Sequence, residues 1–321
     1  MNNRYQYFKL SVSLAILAIL PKGVMAQNNQ LLQPVAYFMY NKLLYNPASA
    51  GTGSSQFNAG LMTRLQWADI NGAPVTNFFW TDFKIPAYKM AVGLNVFSDR
   101  IGVNTYTDIM LNYSYYINIT DKLKLSMGLR AGVTNSQYTP RDLVAWQLAD
   151  PKLDNSINAN LPKFGAGFQL YNNKMFVSFS TPDLAVIDNS DALKENNLGF
   201  FNRSRNYMLM AGYRIKLGDL YGFNPNISAS YHKSSGTRFD INTLFEITDY
   251  FWAGGTYSIS SNANNTTSNA ILMAGTNISS RIKFGYAYEF NLSGTSNSAR
   301  LYTHEINLIL TFDNLFKKKA E

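Results

Sequence analysis

The sequence predicts an all-β fold, a single antiparallel transmembrane β-barrel of fourteen strands that carries a short N-terminal plug segment. Three observations lead to this fold class. Apolar residues recur at every second position over long stretches, the positions between them hold small polar residues, and short and long connections alternate along the chain. Each of these patterns is typical of a barrel that crosses a bilayer.

The first 26 residues have the layout of a secretory signal peptide. Arg4 and Lys9 form a basic start, Leu10 to Leu20 an apolar core, and Val24 to Ala26 a cleavage context. The alternative is a membrane anchor, but the apolar core is much shorter than the roughly 20 residues that a spanning helix needs. We therefore expect export, with Gln27 as the first residue of the mature chain.

The composition of the chain fits an exported protein without a disulfide framework. Charged residues make up 15% of the 321 residues, below the roughly 25% of an average soluble protein. The sequence contains no cysteine. The net charge of +8 is spread along the chain, apart from Lys317 to Lys319 in a basic C-terminal tail over residues 313–321. Such a diffuse charge does not indicate a nucleic-acid partner.

Apolar and polar residues alternate in segment after segment of residues 55–312, which form the predicted barrel. Between Leu123 and Thr134, for example, every second residue is apolar, whereas the residues between them include Lys124 and Arg130. A period of two over about ten residues predicts a strand with one apolar and one polar face. The fourteen predicted strands cover residues 55–67, 75–84, 88–98, 102–118, 122–135, 162–171, 173–180, 205–217, 223–233, 236–247, 250–260, 268–279, 281–292 and 299–312.

The polar face of these strands favours a membrane barrel, surrounded by outer-membrane lipid, over a secreted sandwich. A sandwich would carry many exposed Lys and Glu residues, but this face holds mostly Gly, Asn, Ser and Thr. Small polar residues with scattered opposite charges suit a narrow lumen, and aromatic residues near strand ends suit the membrane interfaces. The polar-face charges are Arg64, Asp108, Arg130, Arg214, Arg238, Asp240, Lys283, Glu289 and Glu305, and the aromatic residues are Trp67, Tyr113, Tyr115, Tyr207, Tyr213, Tyr257 and Tyr302.

The connections predict which side of the membrane each end of the barrel faces. Even-numbered connections are short, whereas the odd-numbered ones include the long stretches 136–161 and 181–204. Bacterial outer-membrane barrels have short periplasmic turns and longer outer loops, so both termini are expected in the periplasm. The long stretches carry apolar residues, among them Trp146, Leu184 and Val186. We expect these stretches to form a contact surface on the outer side.

The sequence holds no arrangement that is typical of an enzyme active site. Its two histidines are His232 and His304, and it has no zinc-ligand spacing and no nucleotide-binding loop. His304 and the neighbouring Glu305 point to opposite faces of one predicted strand, so they do not form an acid–base pair. We therefore expect no catalytic residues, no metal and no cofactor.

Several motifs resemble those of a known family. The stretch FMYNKLLYNPASAG, residues 38–51, is similar to the N-terminal signature of the PorP/SprF outer-membrane proteins of the Bacteroidota type IX secretion system. TRLQW at 63–67 and THEINL at 303–308 resemble that family's Tyr-Arg-Asn-Gln-Trp strand and its closing strand, and SDRIGV at 98–103 and FDIN at 239–242 also fit. The matching signature residues are Met39, Asn41, Asn46, Pro47, Ala48, Ala50 and Gly51.

The signature stretch predicts a plug within an N-terminal periplasmic segment, residues 27–54. Pro47 forces the residue before it into an extended or turn conformation, and Ala50 with Gly51 allows a tight reversal into the first strand. We expect residues 35–45 to form a short turn or helix in the periplasmic mouth of the barrel. A plug is favoured over a docking surface for periplasmic machinery, because clustered aromatic side chains usually pack. Tyr37 and Lys42 depart from the family pattern.

The resemblance implies a non-enzymatic accessory of type IX secretion at the bacterial outer membrane. Such an accessory helps specific cargo, for example large adhesins, to cross the membrane or to stay attached to the surface. The implied partners are type IX secretion components and secreted surface cargo, and the stretches 136–161 and 181–204 are the candidate cargo-facing loops. Two alternatives stay open, a solute channel with an open lumen and a secreted, lectin-like β protein.

Overall fold

The computed structural model describes residues 35–139, 156–187, 205–218, 220–233, 235–262, 266–292 and 302–313. The expected signal peptide, residues 1–26, lies outside these described residues. So do Trp146 and nearly all of the basic tail. What the sequence indicates about these parts stays a prediction.

The described residues form fifteen β-strands: β1 Phe57–Gln66, β2 Val75–Ile85, β3 Met90–Ile101, β4 Asn104–Asn118, β5 Lys124–Tyr138, β6 Ile157–Tyr171, β7 Met175–Val186, β8 Asn206–Tyr213, β9 Ile215–Leu217, β10 Tyr221–His232, β11 Gly236–Ile247, β12 Phe251–Ser261, β13 Thr266–Ser279, β14 Ile282–Asn291 and β15 Tyr302–Phe312. β8 and β9 both pair with β10, and only Arg214 separates them. These two segments are therefore one interrupted strand, and the barrel has fourteen strands.

The sheet closes on itself because the first strand pairs with the last. β1 and β15 run antiparallel, from Phe57 opposite Phe312 to Gln66 opposite Thr303. The remaining strands pair in chain order around the wall. Closure leaves none of the described strands with a free edge, as a lipid environment requires. The prediction of a closed, fourteen-stranded antiparallel barrel is confirmed.

The two faces of the barrel wall have the reverse polarity of a soluble protein. On the inner face, charged and amide side chains are buried, with Asp240 only 1% exposed and Asn242 fully covered. On the outer face, large apolar side chains are exposed, with Leu111 at 67% and Leu129 at 63%. In a bilayer this outer band meets lipid, and the polar residues line the lumen.

The two ends of the barrel differ in the length of their connections. At the turn end, six short connections join successive strands, the longest of them being 119–123. β1 begins and β15 ends at this same end. At the opposite end, the loop end, the connections include 139–156 and 187–205. No helix within the described residues is long and apolar enough to span a membrane.

Both long connections are shorter than the sequence predicted. β5 continues to Tyr138 and β6 begins at Ile157, so the first connection is shorter at both ends. β7 continues to Val186. The predicted strand end before residue 181 is therefore wrong, and Leu184 and Val186 lie in β7 instead of in a loop.

A bulge in β7 that contains Pro182 explains why this strand extends further than predicted. Proline lacks the N–H that a ladder needs, so Pro182 suggests the end of a strand in the sequence. In the structure, the pairing of β6 with β7 shifts register between Phe164 and Ala166. On the lumen side of the wall, the carbonyl of Pro182 accepts a hydrogen bond of 2.9 Å from Arg130 Nε. The bulge thus accommodates the proline within the wall.

The reversed polarity makes a prediction about Leu111, which lies at the centre of β4 and points outward. Replacing Leu111 with Arg should cost about 2–4 kcal/mol of unfolding free energy, because the charge would face hydrocarbon near the bilayer midplane. Leu111→Ala, which removes the same side chain without adding a charge, should cost much less. Denaturant unfolding of the barrel refolded in lipid vesicles measures both. Equal losses for the two variants would show that this position does not face lipid.

Candidate functional site

Residues 35–52, the plug, lie inside the lumen of the barrel. Tyr37, Asn41, Asn46 and Ala48 have no exposed surface at all. The plug consists of a turn, a short helix α1 (Lys42–Tyr45) and a 3-10 turn (Pro47–Ser49). It passes from the turn end, where it joins β1, to the loop-end half of β15. The plug therefore extends deeper than the mouth of the barrel.

The local sequence explains the shape of the plug. Asn46, which precedes Pro47, is extended at φ −135° and ψ 112°, and this ends α1. The Asn46 side chain then accepts a hydrogen bond of 2.9 Å from the amide of Ala48 and caps the 3-10 turn. Gly51 has a positive φ of 67°, which a glycine adopts without strain. Its conformation turns the chain toward β1.

An ion cluster in the wall holds the deep end of the plug. The two carboxylate oxygens of Glu305 accept hydrogen bonds from the amides of Ala36, at 2.9 Å, and Tyr37, at 3.1 Å. Arg64 lies beside this carboxylate, with nitrogen–oxygen distances of 3.5 Å to Glu305 and 2.6 Å to Glu289. All three ionic side chains are buried. Hydrogen bonds to a charged acceptor are the strong kind, so this contact anchors the plug backbone.

A second ion cluster holds the middle of the plug. Arg130 Nη1 donates a hydrogen bond of 2.9 Å to the carbonyl of Leu44, at the C-terminal part of α1. The same guanidinium lies 3.3 Å from Asp183. Lys163 bridges Asp183 and Asp108, at 2.6 Å to each carboxylate. The guanidinium is thus fixed by wall residues before it reaches the plug.

Neutral wall side chains satisfy further polar groups of the plug. Three of them donate to plug carbonyls: Asn95 Nδ2 to Leu43 at 2.7 Å, Ser114 Oγ to Ala50 at 2.9 Å, and Ser180 Oγ to Tyr45 at 2.9 Å. Trp80 Nε1 donates to Asn41 Oδ1 at 2.8 Å, and Asn46 Nδ2 donates to the carbonyl of Phe168 at 3.0 Å. A buried polar group without a partner costs about 1–3 kcal/mol. The wall and the plug therefore supply hydrogen-bond partners for each other's buried polar groups.

Two inward-facing glycines allow the plug to approach the wall. A Cβ at Gly128 would lie 2.1 Å from the amide nitrogen of Ala48, and a Cβ at Gly167 would lie 2.2 Å from Asn46 Oδ1. Both distances are far below a van der Waals contact. Glycine within a strand often marks such a close approach of another backbone.

Aromatic contacts complete the packing of the plug. The ring of Tyr37 meets Trp252 edge to face at 5.4 Å, and its hydroxyl donates a hydrogen bond of 2.5 Å to the carbonyl of Tyr286. The Tyr45 hydroxyl accepts a hydrogen bond of 2.8 Å from the amide of Val35. Burial raises the pKa of both tyrosines well above its usual value, so both hydroxyls stay protonated. Tyr37, a departure from the family pattern, is therefore a packing residue of the plug.

The structure brings the signature residues together but adds partners that the sequence did not single out. Met39, Asn41, Asn46, Pro47, Ala48, Ala50 and Gly51 are all buried in the plug. The partners that sequence reasoning missed as plug contacts include Arg64, Arg130 and Glu305. A signal for two of them was present, because Arg64 lies in TRLQW and Glu305 in THEINL, the two strand motifs of the family resemblance. Leu184 and Val186 lie in β7 and are apart from the plug.

Glu305 and Arg130 bind the plug, whereas Arg64 and Lys163 bind carboxylates of the wall. Within the described parts of the chain, no group of three or more His, Asp or Glu residues could hold a metal ion. His304 lies on the outer face, where its Nδ1 is 2.7 Å from the Tyr286 hydroxyl, while Glu305 points inward. This arrangement holds a peptide segment, the plug, inside the barrel.

Comparison with known proteins identifies what the chain is similar to. The family model of the type IX secretion system membrane protein PorP/SprF matches residues 26–310. This match confirms the resemblance found in the motifs. No curated protein matches the chain significantly.

Solved structures of similar fold are β-barrels. The CymD monoaromatic hydrocarbon channel is 15% identical, with a TM-score of 0.50 over 91% of this chain and 95% of that chain. A Pseudomonas aeruginosa FadL homologue is 10% identical, with a TM-score of 0.49 over 85% and 94%. Acinetobacter baumannii outer membrane protein Omp33 is 10% identical, with a TM-score of 0.45 over 80% and 98%. At such identities the likeness to CymD shows the barrel fold alone.

Removing the Glu305 carboxylate should loosen the plug. In Glu305→Ala, two buried amides lose a charged acceptor, and each such hydrogen bond is worth about 1.5–3 kcal/mol. We expect a higher and more fluctuating single-channel conductance in planar bilayers than for the unmodified barrel. Asp240→Ala is the matched control, because Asp240 is equally buried but its hydrogen-bond partners among the described residues all belong to the wall. Conductance that does not change in Glu305→Ala would contradict the anchoring role.

A methyl group at Gly128 should displace the 3-10 turn of the plug. The chain has no cysteine, so a single Ser49→Cys substitution reports on exposure of this turn through its rate of maleimide labelling. We expect slow labelling of the Ser49→Cys variant. Labelling should be much faster when Gly128→Ala is added, since the new Cβ overlaps Ala48. Gly255→Ala serves as the control, because its Cβ would meet no atom closer than 3.2 Å. If the Ser49→Cys thiol were labelled at the same rate in both glycine variants, the close approach at Gly128 would not position the plug.

Proposed function

Because the chain belongs to the PorP/SprF family of type IX secretion system membrane proteins, we propose that it is a non-enzymatic accessory of type IX secretion. In this role it assists the export or the surface attachment of specific cargo, such as large adhesins. The family match over residues 26–310 is the single observation that carries the proposal. Its partners are then other type IX secretion components and the cargo itself.

The filled lumen supports this role over that of a solute channel. A diffusion channel needs an open path, whereas the plug occupies the lumen through contacts from Gly51 near the turn end to Ala36 beside Glu305. Hydrogen bonds with charged and neutral wall side chains on several sides hold it. A barrel of this kind is suited to presenting its loops and rims to other proteins.

The proposed orientation places the turn end in the periplasm and the loop end at the cell surface. Short turns on the periplasmic side and longer loops outside are usual for bacterial outer-membrane barrels. β4, β5 and β6 have 15 residues each, more than the roughly 9–11 that cross a bilayer. At the loop end β5 and β6 lead into the connection that contains Trp146, while β7 carries Leu184 and Val186. This rim is the proposed cargo-facing surface.

Deleting the gene tests the proposed role directly. We expect one or a few large cargo proteins to disappear from the cell surface, because a cargo-specific accessory is missing, while other outer-membrane proteins remain at normal levels. Mass spectrometry of proteins released by surface proteolysis measures both groups, and a strain that carries a restored gene is the control. Normal surface cargo together with lost uptake of a small solute would support the channel instead.

Shortening the β7–β8 connection tests the cargo-facing surface. Because β7 ends at Val186 and β8 begins at Asn206, the deletion is confined to residues 188–204. We expect cargo to be released into the medium or lost from display while the barrel still folds, since surface connections tolerate deletion. Replacing residues 263–265, at the same end, with a short Gly-Ser linker is the control. Normal cargo display in a folded deletion variant would exclude this connection as the contact surface.

A further inference from the structure

A pocket of about 240 Å³ lies at the turn end between the plug and the barrel wall. Tyr40 and Lys42 of the plug form one side of it, and the β6–β7 turn at residues 172–174 forms another. Lys283 of β14 and Glu246 of β11 also line it. A single water needs only about 10–15 Å³ of such space, so the pocket has room for a larger ligand. We call it the turn-end pocket.

The turn-end pocket carries an excess of positive charge. Its lining includes four basic residues, Lys42, Lys174, Arg214 and Lys283, against the single carboxylate of Glu246. Arg214 already pairs with Glu246 at 2.6 Å. The three lysines have no carboxylate oxygen within 4.0 Å among the residues that the structure describes. Three ammonium groups are therefore available to a ligand.

Two of these lysines lie over aromatic rings. Lys42 Nζ lies 4.4 Å from the centre of the Phe176 ring, and Lys283 Nζ lies 5.8 Å from the centre of the Tyr40 ring. Burial lowers the pKa of Lys42 to about 8, because an ammonium group that loses hydration favours its neutral form. A ring face compensates for only part of such a loss, so an anion that enters the pocket gains a strong partner.

Two neutral polar groups of the pocket also lack a partner within the described residues. The hydroxyl of Tyr171 and the side-chain oxygen of Asn224 are both buried and make no hydrogen bond there, and Tyr171 is only 7% exposed. A hydroxyl can donate to a carboxylate, and an amide oxygen can accept from a peptide N–H. The pocket thus offers complementary groups for both parts of an acidic peptide.

Part of the pocket lining is apolar. Met39, Phe176 and Leu244 contribute to it, and a methionine side chain adapts readily to different apolar partners. A free inorganic anion makes no favourable contact with such an apolar surface. Bilayer lipid contacts the outer face of the wall, whereas these side chains point into the lumen. Peptide is therefore favoured over a lipid headgroup or a free ion.

We propose that the turn-end pocket binds an acidic peptide segment that carries an apolar side chain. Its carboxylates pair with Lys42 and Lys283, its backbone meets Tyr171 and Asn224, and its apolar side chain packs against Met39 and Phe176. This binding is a property of the folded barrel with its plug in place. It does not depend on the proposed role in secretion, and the test below uses no secretion assay.

Fluorescence anisotropy of a labelled Glu-Leu-Glu peptide with the full-length purified barrel in detergent tests the proposal. We expect saturable binding that is about tenfold weaker in Lys283→Gln, since a charge-assisted contact is lost. Lys283→Arg should retain most of the affinity. Lys122→Gln, which changes an exposed lysine at the turn end outside the pocket, should bind like the unmodified barrel. A heat-dependent gel shift verifies that each variant is folded.

Four further comparisons test which ligand the pocket binds and which residues bind it. A Gln-Leu-Gln peptide should bind at least about tenfold more weakly than Glu-Leu-Glu, and about 0.5 M salt should weaken the binding of Glu-Leu-Glu. Lys42→Gln provides a second variant on the plug side of the pocket, with the same expected loss. Equal binding of the two peptides, or equal effects of Lys283→Gln and Lys122→Gln, would overturn the proposal. Displacement of Glu-Leu-Glu by inorganic phosphate at equal concentration would also overturn it, in favour of a simple anion site.

Discussion

The seam between β1 and β15 is the contact on which the rest of the structure depends. It closes the wall, and within it Arg64 stands directly opposite Glu305. Glu305 in turn accepts the hydrogen bonds of Ala36 and Tyr37. One strand pairing therefore creates the lumen and also holds the deep end of the segment that fills it. A slip of one residue in either strand would turn its charged side chain toward lipid, so the cost of that exposure fixes the register.

The polar lumen and the plug are stable only together. Taking charges out of water is costly, and pairing offsets the cost only when the geometry is good and every remaining polar group has a partner. Lys163 meets this requirement within the wall, through two carboxylates at 2.6 Å. Arg130 meets it in part through the plug, because one of its donors binds the carbonyl of Leu44. The contacts that keep the plug in place are thus also the contacts that satisfy the wall.

The plug lies between the two proposed contact surfaces of the barrel. It presents Lys42 and Tyr40 to the turn-end pocket, and at the loop end the long connections adjoin β5, β6 and β7. Family membership indicates that the barrel belongs to a type IX secretion system. The pocket, in contrast, indicates only which ligand chemistry one surface of the barrel fits. The two conclusions rest on separate observations.

The sequence by itself determined the barrel, because its strands alternate between an apolar face and a face of small polar residues. Such a strand fits best between lipid on one side and a narrow polar lumen on the other. The motifs around Asn46, Arg64 and Glu305 also identified the family from residues alone. Only the tertiary structure decided how far β7 extends, since a bulge that accommodates Pro182 depends on the neighbouring strand. It also decided that Arg64 and Glu305, 241 positions apart, form one anchor for the plug. Contacts over such separations depend on strand register and closure, which no local pattern records.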